Sequence, residues 1–209
     1  MFIGKFNRTV IVTYLSIVAF LVGAYFALFE GNIAAAIICL VVSGICDTFD
    51  GKIARMVKNR TEEDKQFGIQ IDSLADVIAF TVSPLTIFFG YILKYDVDIN
   101  PVLLITASSA LIVCGITRLA YFNVVTAAGP VKYYSGLPVT LTSAIFPILY
   151  LLDNCLSHVA FVYIYLVAIF VVSFLFVLNF KIKKQTSALF YILIPIIGLI
   201  FTVFFILMM

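Results

Sequence analysis

Charge is scarce in this chain. Asp, Glu, Lys and Arg together make up 11% of its 209 residues, against roughly 25% in a soluble domain. With 64% hydrophobic residues and a mean hydropathy of +1.18, that shortage excludes an ordinary water-soluble protein. Tryptophan is absent, so the aromatic mass comes from 21 Phe and 11 Tyr, read as lipid-facing or packing residues. The one histidine, His158, falls in a polar connection and reads as a solvated loop residue. The four cysteines, Cys39, Cys46, Cys114 and Cys155, sit in or beside apolar runs without a Cys-x-x-Cys spacing. That pattern argues against disulfides or a thiolate metal site and makes them small hydrophobes. The longest polar run, KNRTEEDKQ at 58–66, is too short for a second domain, so residues 1–209 are expected to form one.

What is present is a series of long apolar runs, each near the roughly 20 residues needed to cross a bilayer. The expected spans are Thr9–Phe29, Ile33–Val57, Phe67–Leu93, Pro101–Val125, Leu137–Leu152, Val159–Phe180 and Ala188–Met209. The fifth is short, and Pro138 and Pro147 predict that it is kinked. AAGPVKYYSG and KIKKQTS read as loops. The first run is long enough to be a span rather than a cleaved leader. The fold class is therefore an all-α, polytopic integral membrane helical bundle of about seven spans. Seven crossings put Lys5, Arg8, Lys58, Arg60, Lys65, Lys132, Lys181, Lys183 and Lys184 on one side and Lys94 alone on the other. Basic residues favour the cytoplasmic side, so the N-terminus is expected there.

Against this apolar background stand four aspartates between Cys46 and Phe80. Asp47 and Asp50 are spaced i,i+3, and Asp72 and Asp76 i,i+4, so each pair projects from one helical face. They lie on consecutive, antiparallel spans at similar shallow depth, which makes an acidic pocket opening toward the cytoplasm. Carboxylates in an apolar setting repel unless neutralised. Ion pairs with Lys52, Arg55 and Arg118 would leave an excess of acid, so a divalent cation, Mg²⁺ or Mn²⁺, is the expected partner. Gly51, Ala54 and Arg55 continue the face of Asp47 and Asp50. Small residues admit a bulky ligand, and a guanidinium grips phosphate. Together these features suggest a nucleotide diphosphate carried on a lipid, and phosphoryl transfer.

Asp47, Asp50, Gly51, Ala54 and Arg55, followed at the family's spacings by Gly68, Asp72 and Asp76, resemble the signature of the CDP-alcohol phosphatidyltransferases. The resemblance implies a metal site, usually of two ions, framed by Asp47, Asp50, Asp72 and Asp76. It makes Asp76 the catalytic base and assigns Asp47, Gly51, Ala54, Arg55 and Gly68 to the nucleotide and diphosphate. GIQIDSLADVIAFTVSP, RLAYFN from Arg118 to Asn123, and YSGLP from Tyr134 to Pro138 resemble the phosphatidylserine synthases in particular. Arg118 is then the expected partner of the serine carboxylate, with Asn123 and Ser83 beside it. Two departures are visible: Tyr121 stands where that subfamily has a second arginine, and the first span lacks a Pro-Asn opening, with Asn7 and Thr9 nearest its place. The resemblance covers about the first two-thirds of the chain. It implies a CDP-lipid and L-serine as substrates, a homodimer, and no nucleic-acid partner.

Two rival functions would demand different residues. A cation transporter would spread acids through the membrane, yet the fourth, sixth and seventh spans contain none. A sister enzyme acting on glycerol 3-phosphate or inositol phosphate would need several cations near the pocket. Beyond Arg55, only Arg118 and Lys132 are well located, which favours serine.

Overall fold

The computed structural model describes residues 8–57, 61–129 and 133–183. Several of its helices begin where a polar side chain can take up an orphan backbone N–H. Helix α1 (Arg8–Leu28) is followed by a turn in which Asn32 accepts from the Ala35 N–H at 3.1 Å, opening α2 (Ile33–Met56). Thr61 and Asp64 cap one another reciprocally at the start of α3 (Glu62–Asp76). That helix passes through a π-helical turn, Val77–Val82, directly into α4 (Ser83–Tyr95). Asn100 caps α5 (Pro101–Ala127), whose first residue is a proline with no N–H to satisfy. A short pass follows as a 3-10 turn, α6 (Thr142–Tyr150) and a second 3-10 turn, and Ser157 then caps α7 (His158–Val177).

Among the described residues, five helical stretches are long and apolar enough to cross a membrane: Val10–Leu28, Ile33–Gly51, Glu62–Tyr95, Pro101–Ala127 and His158–Val177. Val139–Cys155 is a shorter apolar helical stretch, with Pro147 inside it as the expected kink residue. The polytopic helical bundle is thus as expected. The seventh expected span, 188–209, lies outside the described residues.

The centre of the bundle is aromatic. Tyr165 of α7 stacks on Phe88 of α4, with centroids 4.9 Å apart, and on Phe146 of α6 at 4.8 Å. All three are nearly or fully buried, and the Tyr165 hydroxyl donates to the Pro84 carbonyl at 3.0 Å. A buried phenol needs such a partner. Where α4 crosses α1, Gly90 allows backbone contact: a Cβ there would meet the Ala27 carbonyl oxygen at 2.4 Å.

Two expectations are corrected. The segments read as loops contain a small antiparallel ribbon, β1 (Tyr133–Ser135) against β2 (Lys181–Lys183), with Tyr134 opposite Ile182. Three residues are too few for a period-two pattern to register, and the pairing partner is distant in sequence. His158 is solvent-exposed as expected, but it is not a loop residue. It is the first residue of α7, its ring stacks on Tyr95 at 3.6 Å, and its Nδ1 lies 2.7 Å from the Tyr91 hydroxyl. That hydroxyl in turn donates to Asp153. This polar clasp joins α4, the end of the α6 pass and α7 at the end of the bundle where α1 turns into α2. The aspartates of α2 lie roughly 20–25 Å along the helix from that turn.

Candidate active site

The site is built on two helices and held by contacts from three more. On α2, one helical turn separates Asp47 from Asp50 and brings both carboxyls to one side. On α3, the same geometry aligns Asp72 with Asp76, which is the last α-helical residue before the π turn. Wide turns of this kind are frequent at functional sites, and a local cause is visible. Pro84 has no N–H to give the Phe80 carbonyl four residues earlier. The hydroxyl of Thr142, from the short pass, lies 2.8 Å from that carbonyl and 2.9 Å from the Val139 carbonyl, and shares its one proton between them. The backbone just beyond Asp76 is therefore set jointly by a proline in its own helix and a threonine in another.

Asp47, Asp50 and Asp72 each offer one carboxylate oxygen to a cluster in which those atoms lie within 4.8 Å of one another. Asp76 comes within hydrogen-bonding reach of Asp47, and Asp72 within reach of Asp50. All four expected ligands are therefore brought together, and Asp50 is the most enclosed, at 7% exposure. Four carboxylates at this spacing repel strongly in a medium of low dielectric. The oxygen-only donor set suits a hard divalent cation.

A cation of the chain's own stands beside them. Arg118, buried on α5, acts electrostatically on Asp47, and its guanidinium lies 5.0 Å from the centroid of the Phe122 ring. It also lines a cavity of about 240 Å³ between α5, the ribbon and the end of α7, together with Thr117, Tyr121, Ser135, Gly136 and Asn179. Tyr121 thus faces the same space as Arg118.

The remaining expected residues differ in what they touch. The Asn123 amide donates to the Ser73 hydroxyl at 2.8 Å, linking α5 to the residue beside Asp72. Ser83 is buried at the start of α4, about 10 Å along the helix beyond Asp76. Gly51 is exposed on α2, next to Asp50, and Gly68 is half-buried one turn before Asp72. Ala54 and Arg55 continue the α2 backbone, but their side chains lie outside the described set, as do Asn7 and Lys132 altogether.

Sequence reasoning missed Thr13 and Ser73. Thr13 of α1 donates to Asp50 Oδ2 at 3.1 Å, and Ser73 receives Asn123. A hydroxyl inside an apolar run carries no signal of its own, because most such groups bond within their own helix.

A model of the CDP-alcohol phosphatidyltransferase family matches residues 6–173. The chain belongs to this family. The match extends through most of α7, further than the motifs that carry the resemblance in the sequence. Among similar proteins is a CDP-diacylglycerol–serine O-phosphatidyltransferase of Helicobacter pylori, 33% identical over 169 residues, covering 78% of this chain and 68% of the relative. An archaetidylserine synthase of Methanothermobacter thermautotrophicus is 33% identical over 58% of this chain and 48% of its own length. A CDP-diacylglycerol–serine O-phosphatidyltransferase of Saccharomyces cerevisiae is 36% identical over 50% of this chain and 37% of its own length. This CDP-alcohol phosphatidyltransferase is a transferase and, with its long apolar helices, an integral membrane protein. The family is generally dependent on a divalent metal, which the clustered carboxylates fit.

Proposed function

We propose that the chain transfers the phosphatidyl group of a CDP-activated diradylglycerol lipid to L-serine, releasing CMP. The observation that carries this reading is the buried Arg118 guanidinium, acting on Asp47 at the edge of the acidic cluster and lining a small cavity. The other polar side chains lining that cavity among the described residues, Thr117, Tyr121, Ser135 and Asn179, are uncharged. One guanidinium among neutral groups suits the single carboxylate of an amino acid better than an acceptor with a second phosphate. The names of the relatives support the same acceptor.

In this reading Asp47, Asp50, Asp72 and Asp76 hold two Mg²⁺ or Mn²⁺ ions. When bound, these would neutralise charge developing on the diphosphate. Gly51, Ala54 and Arg55 cradle the CMP moiety, and Gly68 lets the pocket helices pack closely. Arg118 fixes the serine carboxylate, with Asn123 and Ser83 as further acceptor residues, Asn123 through Ser73. Asp76 takes the proton of the serine hydroxyl, and that oxygen forms a bond to the β-phosphorus. The bond from this phosphorus to the oxygen bridging to the α-phosphate breaks, and CMP leaves with the electron pair, its charge met by Arg55. We further propose that residues 1–209 act as a single domain of seven spans, that the N-terminus and the acidic pocket face the cytoplasm, and that the enzyme is a homodimer.

The test is CMP release by purified protein supplied with CDP-diacylglycerol and serine, glycerol 3-phosphate, inositol phosphate or no acceptor. Serine-dependent release is expected. Release driven only by glycerol 3-phosphate or inositol phosphate would overturn the serine assignment and leave the acidic site standing.

A further inference from the structure

Hydroxyl groups inside these helices mostly bond to their own backbone. Thr48, Thr81, Thr106, Thr117 and Ser173 each donate to the carbonyl four residues earlier, the usual resort of a polar side chain in an apolar helix. Thr13 does otherwise. It is buried, at 5% exposure, and its single hydroxyl proton crosses from α1 to Asp50 Oδ2 at 3.1 Å. Its own carbonyl accepts from Ser16 at 2.7 Å, and the Ser16 carbonyl lies 3.1 Å from the Ser43 hydroxyl of α2, which is equally near the Cys39 carbonyl of its own helix. The two helices are thus pinned by a polar seam that ends on a carboxylate of the acidic cluster.

We propose that Thr13 is a positioning residue for the metal site. By donating to Oδ2 it fixes the rotation of the Asp50 carboxyl and turns the remaining oxygen toward Asp47 and Asp72. Partners of this kind orient a metal-binding carboxylate, and their loss typically costs about 10–100-fold in metal affinity. The proposal rests on the reading of the aspartates as a metal site. It gives α1, which carries no acidic residue among its described positions, a part in that site.

The experiment is Mn²⁺ titration of detergent-purified protein without lipid or serine, followed by electron paramagnetic resonance of the free ion. Thr13→Val and Thr13→Ala should each weaken Mn²⁺ binding by about tenfold or more, and Thr13→Ser should restore it. Ser43→Ala removes the other hydrogen bond of the seam without touching Asp50 and should leave the affinity unchanged. Thr13→Ala, which adds no bulk, serves if Thr13→Val does not fold. Unchanged affinity in the Thr13 variants, or an equal loss in Ser43→Ala, overturns the proposal while the metal site stands. Wild-type protein with no saturable Mn²⁺ binding would instead remove the metal reading itself, and the proposal with it.

Discussion

Replacing Thr142 by valine keeps the shape of the side chain and removes the hydroxyl shared between the Phe80 and Val139 carbonyls. Thr142 is fully buried, and water cannot take over the bond. Pro84 has no N–H to offer the Phe80 carbonyl. An acceptor stranded in this way costs about 1–3 kcal/mol, which for a chain of this size lowers the unfolding midpoint by roughly 2–10 °C. The loss falls on the turn just past Asp76, so CMP release should drop as well. Thermal unfolding in detergent measures the first effect, and Thr142→Ser should restore the midpoint. The sharper measurement is a double-mutant cycle with Pro84→Ala. An alanine at 84 regains an N–H, which can close an ordinary helical bond to Phe80 and make Thr142 dispensable. Thr142→Val should then cost much less in the Pro84→Ala background than in the wild type. An equal cost in both would refute the claim that proline and threonine jointly hold this turn.

Three further outcomes follow from the same geometry. Asp76→Asn removes the proposed base while leaving its size, and turnover measured by CMP release should fall by about 10²–10⁴-fold; near-normal turnover would remove Asp76 from that role. Arg118→Ala should raise the KM for serine far more than the KM for the CDP-lipid, read from initial rates with each substrate varied in turn. Gly136 has φ +71°, and a Cβ there would meet the Phe176 carbonyl oxygen at 2.4 Å, so Gly136→Ala should loosen the ribbon beside the Arg118 cavity. Faster amide exchange at Ser135 and Leu137 and a raised serine KM are expected, and exchange unchanged from wild type would contradict it.

The parts of the site that could be read in the sequence are those whose chemistry is costly. Four aspartates in apolar runs stand out because a buried carboxylate demands an explanation, and their i,i+3 and i,i+4 spacings translate directly into shared helix faces. Arg118 was readable for the same reason. Thr13, Ser73 and Thr142 were not, since a threonine or serine is cheap in a membrane helix and reveals nothing about its partner. The ribbon of Tyr133–Ser135 with Lys181–Lys183 escaped for another reason: strand pairing is non-local, and each strand is shorter than any period that could announce it.

That the chain is a helical membrane protein with an acidic site shared by two consecutive spans is legible without coordinates. Those facts depend on hydrophobic run length and on helical period, which are local properties. Which neutral groups complete the site depends on the packing of the helices. Thr13 reaches Asp50 from α1, Asn123 reaches Ser73 from α5, and Thr142 holds the turn after Asp76 from α6. Each of these contacts joins residues far apart in the chain, and hydrogen bonds of that kind depend on how helices are packed together, which no local pattern encodes.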